Sequence, residues 1–202
     1  MTVILGLNAY HGDSSAALVV DGKLIAAVEE ERFRRIKHWA GFPSLSIEYC
    51  LKEHGISLSD VTHVAVNSNP KAHMLQKVGF VLKNRPELSK IIERLQRRRE
   101  RLSIEDEFEK HFSDTLNAGV HRIEHHLSHI ASAYYVGPYD RAVAVSVDGF
   151  GDFSSAAWGL ATNGDITIDG RVHFPHSLGE FYQAMTQFIG FPYYGDEYKV
   201  MG

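Results

Sequence analysis

The chain has 202 residues but only one cysteine, Cys50, so it cannot form a disulfide within itself. Such scarcity is typical of proteins from a reducing cytoplasm, which is the location we expect. No apolar run approaches the roughly 18 residues that a membrane-spanning helix needs. The opening segment MTVILGLNAYHGD also lacks the basic start and the cleavage site of a signal peptide. These absences favour a cytoplasmic protein that makes no contact with a membrane.

An excess of one charge is also absent. The 21 Lys and Arg residues and 25 Asp and Glu residues give a net charge of −4, which provides no general attraction for nucleic acid. The exception is RLQRRRERLSIEDEFEKHF (94–112), because an arginine-rich helix can bind RNA. Opposite charges at helical spacing are more typical of a solvent-exposed helix. We therefore expect a charged helical insert over about 70–117 and no nucleic-acid partner.

The sequence contains an internal repeat. VILGLNAYHGDSSAA (3–17) aligns without a gap with VAVSVDGFGDFSSAA (143–157). Each copy continues with a second strand, an Asp-Gly or Asn-Gly hairpin turn and a third strand. Apolar spacing then predicts a helix, over about 43–54 in one copy and 177–189 in the other. The sequence therefore predicts a duplicated β-β-β-α unit, and such repeats decide the fold before local detail does.

Two facing lobes built from β-β-β-α-β-α units are the architecture of the actin, Hsp70 and sugar-kinase group. In that group the turn after the first strand of each lobe faces the phosphates of a nucleotide. We therefore expect an α/β, ribonuclease-H-like fold with a first lobe over 1–140. Residues 141–202 would begin a second lobe that lacks its completing βα elements.

Three histidines stand within five residues in EHHLSHIASAYY (124–135). On a helix, His125 and His129 share one face, where two imidazoles can hold a transition metal together with ligands from elsewhere. His126 would point away from them. The same side chains could instead cap the helix, form hydrogen bonds or face solvent. Their position after a strand and before small residues favours the metal site.

The turns after the first strands carry further candidates. In the second copy, Gly149 and Gly151 could expose backbone N–H groups to a phosphate, and Asp148 could serve a metal or phosphate-bound Mg²⁺. An ordinary tight turn capped by Asp148 is the alternative. In the first copy, His11 could act as a general base that Asp13 orients. An exposed Asx-type turn is the alternative there.

Several blocks of this sequence, in order, resemble the carbamoyltransferase family that modifies antibiotics and nodulation factors. EHHLSHIASAYY is similar to its HHxxHxxSA signature, and LNAYHGDSSAALVVDGKLIAAVEEERFRRIKHWAGFP is similar to its opening block. SVDGFGD and FPYYGDEYKVMG resemble two further blocks. The matches run from residue 1 to 202 and are least diagnostic over 70–117. The family is related to the tRNA threonylcarbamoyl-transferases, which carry a similar histidine pair on the same fold.

The resemblance implies a divalent metal, iron or else zinc, at His125 and His129. In the family an aspartate of the second lobe completes the site, and its position lies beyond Gly202. Two histidines and one carboxylate with open positions also suit Fe(II) or Zn(II) on chemical grounds. On this interpretation the chain holds only two ligands, and Asp148 helps to position the carbamoyl or phosphate group.

Other implied roles fall on charged residues near the same blocks. Lys37, which with His38 matches the family's Lys-His pair, would contact phosphate or carbamoyl oxygens, as would Lys199. The alternative for Lys37 is a solvated, charged turn, and the alternative for Lys199 is pairing with the nearby acids. The family also has a His-Asp pair near His11 and Asp13, but this chain reads His-Gly-Asp, which leaves the role of Asp13 open.

As a whole, the resemblance implies the N-terminal portion of an O-carbamoyltransferase. The full enzyme would use ATP, Mg²⁺ and carbamoyl phosphate, form carbamoyl-adenylate, and pass the carbamoyl group to a small molecule's hydroxyl. The YrdC-like C-terminal domain that makes the adenylate is missing here, so we expect the 202 residues alone to be inactive. The sequence does not decide whether the enzyme is a homodimer. The alternatives are a tRNA threonylcarbamoyl-transferase, a phosphotransferase, or a non-catalytic half-fold with a large exposed apolar face that docks onto a partner.

Overall fold

The structure is a computed structural model and describes residues 1–85, 87 and 103–202. The chain divides into two compact units. The first comprises Met1–Asn67 and Phe80–Arg122, and the second comprises Ser68–Gly79 and Ile123–Gly202. Within the described residues, no helix is both long enough and apolar enough to span a bilayer.

The first unit is built on a five-stranded sheet. Its strands are β1 (Val3–Asn8), β2 (Ser15–Val20), β3 (Lys23–Glu29), β4 (His63–Val66) and β5 (Gly119–Arg122). The spatial order is β3-β2-β1-β4-β5, in which β1 to β3 are antiparallel neighbours. Strand β4 is parallel to both β1 and β5. This is the arrangement of an actin-like lobe, so the predicted α/β fold class is confirmed.

Helices and a buried core complete the first unit. Among the described residues, the α-helices before and after β4 are α1 (Glu31–Arg34), α2 (Ser44–His54), α3 (Met74–Asn84), which extends into both units, and α4 (Ile104–His111). Alternate residues of β1 point into the core, as the two-residue period of a strand requires. There they join the buried Ile47 of α2 and Phe108 of α4. The predicted insert thus contains α3 and α4, while residues 94–102 of its arginine-rich stretch lie outside the described residues.

The second unit contains a three-stranded antiparallel sheet. Its strands are β6 (Arg141–Gly151), β7 (Ser154–Thr162) and β8 (Asp165–His173), in that spatial order. Its helices are α5 (His125–Tyr134), α6 (Leu178–Phe188) and α7 (Glu197–Met201). Strands β6 to β8 and helix α6 therefore form the second copy of the β-β-β-α unit.

The duplication extends to the register of the strands. Val3 lies opposite Val20 in the first hairpin, and Val143 lies opposite Leu160 in the second, which is the equivalent pair of the aligned repeat. The register shifts in the two following strand pairs also correspond, at Leu18/Val19 and at Trp158/Gly159. A shared register and a shared irregularity show that the repeat is structural.

Helix α5 belongs to the second unit, whereas the sequence set the lobe boundary after it, near residue 140. Its buried face includes His126 and Ile130, which are 0% and 2% exposed. His126 Nδ1 lies 2.8 Å from the Oγ of Ser146 in β6. The helix thus packs on a strand that follows it in the chain, and the order of the repeats does not reveal that packing.

Cys50 provides a test of the first core. Its side chain is fully buried on α2, and burial raises the pKa of the thiol to about 11. Because the thiolate is the reactive form, we expect the folded chain at about pH 8 to react with a chromogenic thiol reagent at least ~100-fold more slowly than the urea-unfolded chain. Equal rates, followed by absorbance, would contradict this packing.

Candidate metal centre

Helix α5 begins at a well-satisfied N-terminus. The Glu124 carboxylate accepts hydrogen bonds from the N–H groups of His126 and Leu127, at 3.2 and 2.9 Å, which the first helical turn leaves without helical partners. Arg171 donates to the same carboxylate at 3.2 Å. Burial alone would raise the pKa of Glu124, but these donors lower it below its ordinary value. The cap is therefore an ionised carboxylate.

A second carboxylate ties the start of α5 to the β6–β7 turn. Asp152 Oδ2 accepts hydrogen bonds from the backbone N–H groups of His125 at 3.0 Å and Asn69 at 2.7 Å. Asp152 and Phe153 form the turn, and both have positive φ, 48° and 77°. The predicted turn at Asp148 to Gly151 thus lies later in the chain than expected. Asp148, Gly149 and Gly151 belong instead to β6, whose register shifts between Val147 and Gly151.

The helix start and the end of β6 bring three metal-binding groups together. His125 Nε2 lies 2.7 Å from Asp148 Oδ2 and 3.0 Å from His129 Nε2, and His129 Nε2 lies 3.4 Å from the same carboxylate oxygen. Ligand atoms bound at about 2.1 Å and at right angles around one ion lie about 3 Å apart. The His125 side chain is 6% exposed, whereas those of His129 and Asp148 are 48% and 40% exposed. The arrangement fits a two-histidine, one-carboxylate site with an open side.

The position of His125 depends on glycine at residue 151. A Cβ on Gly151 would lie 2.0 Å from two ring carbons of His125, so an alanine there would displace the ring. Gly151, which the sequence assigned to phosphate binding, therefore has a packing role. Similarly, a Cβ on Gly179 would lie 2.6 Å from the Asp148 carbonyl group. Ser177 Oγ donates to that carbonyl oxygen at 3.2 Å, so the start of α6 holds Asp148 from behind.

Sequence reasoning placed Asp148 only partly. The strand-end position suggested that Asp148 could serve a metal, but the family resemblance counted two ligands in this chain and gave Asp148 a positioning role, whereas the structure places its carboxylate beside both histidines. The sequence signal for this third ligand was an aspartate at the end of the first strand of the second copy. It points to the histidine pair only once α5 is known to pack on β6.

Charge within the cluster follows from its geometry. Hydrogen bonds from His125 and His129 hold the pKa of Asp148 well below its usual range. Burial alone would lower the pKa of His125, but the Asp148 hydrogen bond and the charges of Asp148, Asp152 and Glu124 raise it above its ordinary value. Without metal, the two shifts thus favour the imidazolium–carboxylate form of the His125–Asp148 pair.

In the first unit, the carboxylate of Asp13 pairs with His38 rather than with His11. Asp13 Oδ1 lies 2.9 Å from His38 Nδ1, and the His38 N–H donates to Glu31 at 3.2 Å. Asp13 and His38 both have left-handed backbone, with φ of 60° and 55°, which is uncommon outside glycine. The predicted orientation of His11 by Asp13 is thus replaced by an Asp13–His38 pair. Spacing gave no sign of it, because the partners lie on different loops that are far apart in the chain.

The two candidate lysines differ in their surroundings. Lys37 is exposed in the loop after α1. Lys199 Nζ lies 2.6 Å from Asp196 Oδ1, and this hydrogen bond raises the pKa of the lysine. Pairing with a nearby acid, the alternative for Lys199, is therefore what the structure contains.

Comparison with known proteins identifies the family. The family model described as "Carbamoyltransferase N-terminus" matches residues 3–202, so this chain belongs to that family. An uncharacterized protein from Synechocystis sp. is 37% identical over 210 residues, which cover 100% of this chain and 34% of that protein. The nodulation protein NolNO from Sinorhizobium fredii is 32% identical over 198 residues, which cover 96% of this chain and 28% of that protein.

The chain thus spans about a third of the length of the curated relatives it matches. Among solved structures, YeaZ from Pseudomonas aeruginosa is similar over 87% of this chain and 68% of that chain. That likeness is marginal, with 16% sequence identity and a TM-score of 0.46.

Gly151→Ala should weaken metal binding by roughly 10–100-fold, because the added methyl group pushes the His125 ring out of place. Zn²⁺ affinity, measured by competition with a chromogenic chelator, is the test. Gly149→Ala is the matched control, since its Cβ would meet only the end of the Glu180 side chain, at 3.4 Å. Equal affinities for the two variants would contradict the ligand role of His125.

The metal-free pair should also give stability a characteristic pH dependence. The raised pKa of His125 stabilises the fold below about pH 6.5 and ceases to do so as pH rises through that pKa, while the lowered pKa of Asp148 stabilises it above about pH 4. In EDTA, the wild-type chain should therefore melt at a higher temperature than the Asp148→Asn variant. This difference in melting temperature should be largest between these two pH values and should shrink towards pH 9. With Zn²⁺ the difference should instead grow with pH, because metal binds neutral imidazole. A difference in melting temperature that changes with neither pH nor Zn²⁺ would contradict the His125–Asp148 pairing.

Proposed function

We propose that this chain is the N-terminal part of a metal-assisted, ATP-dependent O-carbamoyltransferase. The whole protein would move a carbamoyl group from carbamoyl phosphate, through carbamoyl-adenylate, to the hydroxyl of a small molecule in the cytoplasm. The observation that carries the proposal is the cluster of His125, His129 and Asp148, with ligand atoms about 3 Å apart, in a chain of the carbamoyltransferase family. The adenylate-forming YrdC-like domain would lie in the additional length of the relatives.

We assign the metal to His125, His129 and Asp148, with iron as the first choice and zinc as the alternative. A divalent ion bound there would supply Lewis-acid polarisation of a carbamoyl or phosphate oxygen. The protein's task is to keep the three donors converged. Ionised Glu124 fixes the first turn of α5, and Asp152 holds the N–H of His125. This support matters because partners behind metal ligands tune affinity strongly.

We assign proton acceptance from the acceptor hydroxyl to the first unit, in the loops after β1 and α1. His11 is the candidate from the sequence, and the Asp13–His38 pair adds a second. An aspartate that holds Nδ1–H of an imidazole keeps Nε2 as the proton acceptor, as in hydrolase triads. His11→Asn and His38→Gln should therefore be compared, and the variant that slows transfer without loss of metal identifies the base.

The decisive experiment uses the protein from its complete coding frame, with radiolabelled carbamoyl phosphate, ATP and a panel of amino sugars and glycosides as acceptors. Label should reach an acceptor only when ATP and Fe²⁺ or Zn²⁺ are present. His129→Ala should reduce both metal content and transfer at least about 100-fold, since it removes a direct ligand. Transfer of the γ-phosphate of ATP without carbamoyl phosphate would instead indicate a phosphotransferase.

His121→Ala is the matched control. His121 Nε2 lies 3.0 Å from His63 Nδ1, a spacing equal to that of His125 and His129, but the described residues add no third ligand to this exposed pair. Metal content should be unchanged in this variant. Equal metal content in His121→Ala and His129→Ala would refute the proposed centre.

A further inference from the structure

The carboxylate of Glu124, which caps helix α5, is held from both sides. Its Oε1 accepts the N–H of His126 at 3.2 Å and lies 3.5 Å from Nε2 of His73. Its Oε2 accepts the N–H of Leu127 at 2.9 Å and an N–H of Arg171 at 3.2 Å. Each oxygen therefore contacts one amide of the helix and one side chain from elsewhere in the second unit, which restrains the carboxylate against rotation. We call Arg171 and His73 the Glu124 clamp.

The two members of the clamp come from distant parts of the chain. Arg171 lies on β8. His73 lies in the segment Ser68–Gly79, which belongs to the second unit although the residues on either side of it belong to the first. The ring centroid of His73 is 5.0 Å from that of His173, which is also on β8. Because residues 171 and 173 of one strand point to the same face, that face of β8 supports the start of α5.

The clamp is buried, and its hydrogen bonding is incomplete. The side chains of Arg171, His73 and Glu124 are 22%, 13% and 10% exposed. Within the part of the chain that the structure describes, the buried Nε of Arg171 has no hydrogen-bond partner. A buried ion pair of this kind adds little net stability, because desolvation offsets the attraction between the charges. The arrangement therefore favours a role for Arg171 in fixing the position of Glu124 over a role in stability.

The position of Glu124 matters because the first turn of α5 sets the directions of the histidine side chains. His125 begins the helix, and His129 follows one turn later, with their Nε2 atoms 3.0 Å apart. The third donor, Asp148, lies on β6 and not on the helix. A change in the direction of α5 would therefore move two ligands relative to the third. Binding sites need such groups within about 0.5 Å of the productive geometry.

We propose that Arg171 and His73 are positioning residues of the metal centre. They fix the Glu124 carboxylate, and through it the first turn of α5, so that both histidine ligands converge on Asp148 before a metal binds. Neither is among the three proposed ligands. The inference rests on the proposed metal centre, so its test includes a variant of a direct ligand.

The first unit contains a matched pair at the start of a helix that carries none of the proposed ligands. Glu30 Oε2 accepts the N–H of Ser46 in the first turn of α2, at 2.8 Å, and Arg34 donates to Glu30 Oε1 at 2.8 Å. The Arg34 side chain is 28% exposed, close to the 22% of Arg171. Arg34→Met is therefore the control for Arg171→Met.

The test is the Zn²⁺ affinity of the protein expressed from its complete coding frame, measured by competition with a chromogenic chelator. Arg171→Met should weaken Zn²⁺ binding about 10-fold or more and change the visible absorption spectrum of bound Co²⁺, because the histidine directions relax. Arg34→Met should change the affinity by less than about twofold and leave the Co²⁺ spectrum as in the wild type. Equal effects of the two substitutions, or no effect of either, would overturn the proposal.

His129→Ala distinguishes failure of the metal centre from failure of its positioning. If this variant binds Zn²⁺ and Co²⁺ as the wild type does, there is no centre for the clamp to position, and both proposals are wrong. Loss of binding in His129→Ala together with wild-type binding in Arg171→Met would overturn the positioning role alone.

A double variant covers the case in which Arg171→Met does not fold, since removing one partner leaves a buried charge without compensation. Glu124→Gln combined with Arg171→Met removes both charges. In EDTA this double variant should melt within about 5 °C of the wild type, yet it should bind Zn²⁺ at least about 10-fold more weakly. Wild-type affinity in the folded double variant would overturn the proposal.

His73 gives an independent readout. Its backbone has a positive φ of 56°, so His73→Leu and His73→Gln carry the same backbone strain, but only glutamine can donate to Glu124. Zn²⁺ affinity should fall by about fivefold in His73→Leu, as expected for one lost polar contact, and stay within about twofold of the wild type in His73→Gln. Equal affinities in the two variants would overturn the role of His73.

Discussion

The candidate centre depends on one close approach, in which the His125 ring occupies the space that a side chain at residue 151 would fill. Only glycine there lets the start of α5 meet the end of β6. Asp152 then holds the helix to the turn through the His125 N–H, and the capped first turn sets the direction of the imidazoles. Asp148 joins the histidines because the shifted strand end carries its carboxylate to the same point. The close packing of the His125 ring against Gly151 is thus required for the three candidate ligands to converge.

The two copies of the repeat present different side chains because the connections after their first strands differ in length. In the first, β1 ends at Asn8 and β2 begins at Ser15, and the Asn8 side chain donates to the carbonyls of Gly12 and Asp13 to hold the wide loop. In the second, β6 continues to Gly151 and turns within two residues. The first connection can therefore present loop side chains such as His11, while the second presents a strand side chain, Asp148. The same β-β-β-α unit accommodates both arrangements because only the connection after its first strand differs.

Local pattern was enough to predict the repeat, the hairpins and helix α5 with its histidine pair. Those features rest on the two-residue period of strands, the 3.6-residue period of helices and the backbone freedom of Asn-Gly and Asp-Gly turns. The ligand position of Asp148 and the Asp13–His38 pair could not be predicted in this way. Each depends on how segments that are well separated in the chain pack together, and no periodicity encodes that. The same limit explains why the sequence alone did not reveal the packing of α5 on β6.

Strand β6 links the candidate centre to the rest of its sheet. Ser146 faces α5 and bonds His126, and Asp148 faces the histidine pair, whereas the alternating valines face the opposite side. Because side chains alternate along a strand, a slip of one residue would exchange the polar and apolar rows. The row that packs on α5, which includes the buried Ser146, thus specifies the register that brings Asp148 to the histidine pair.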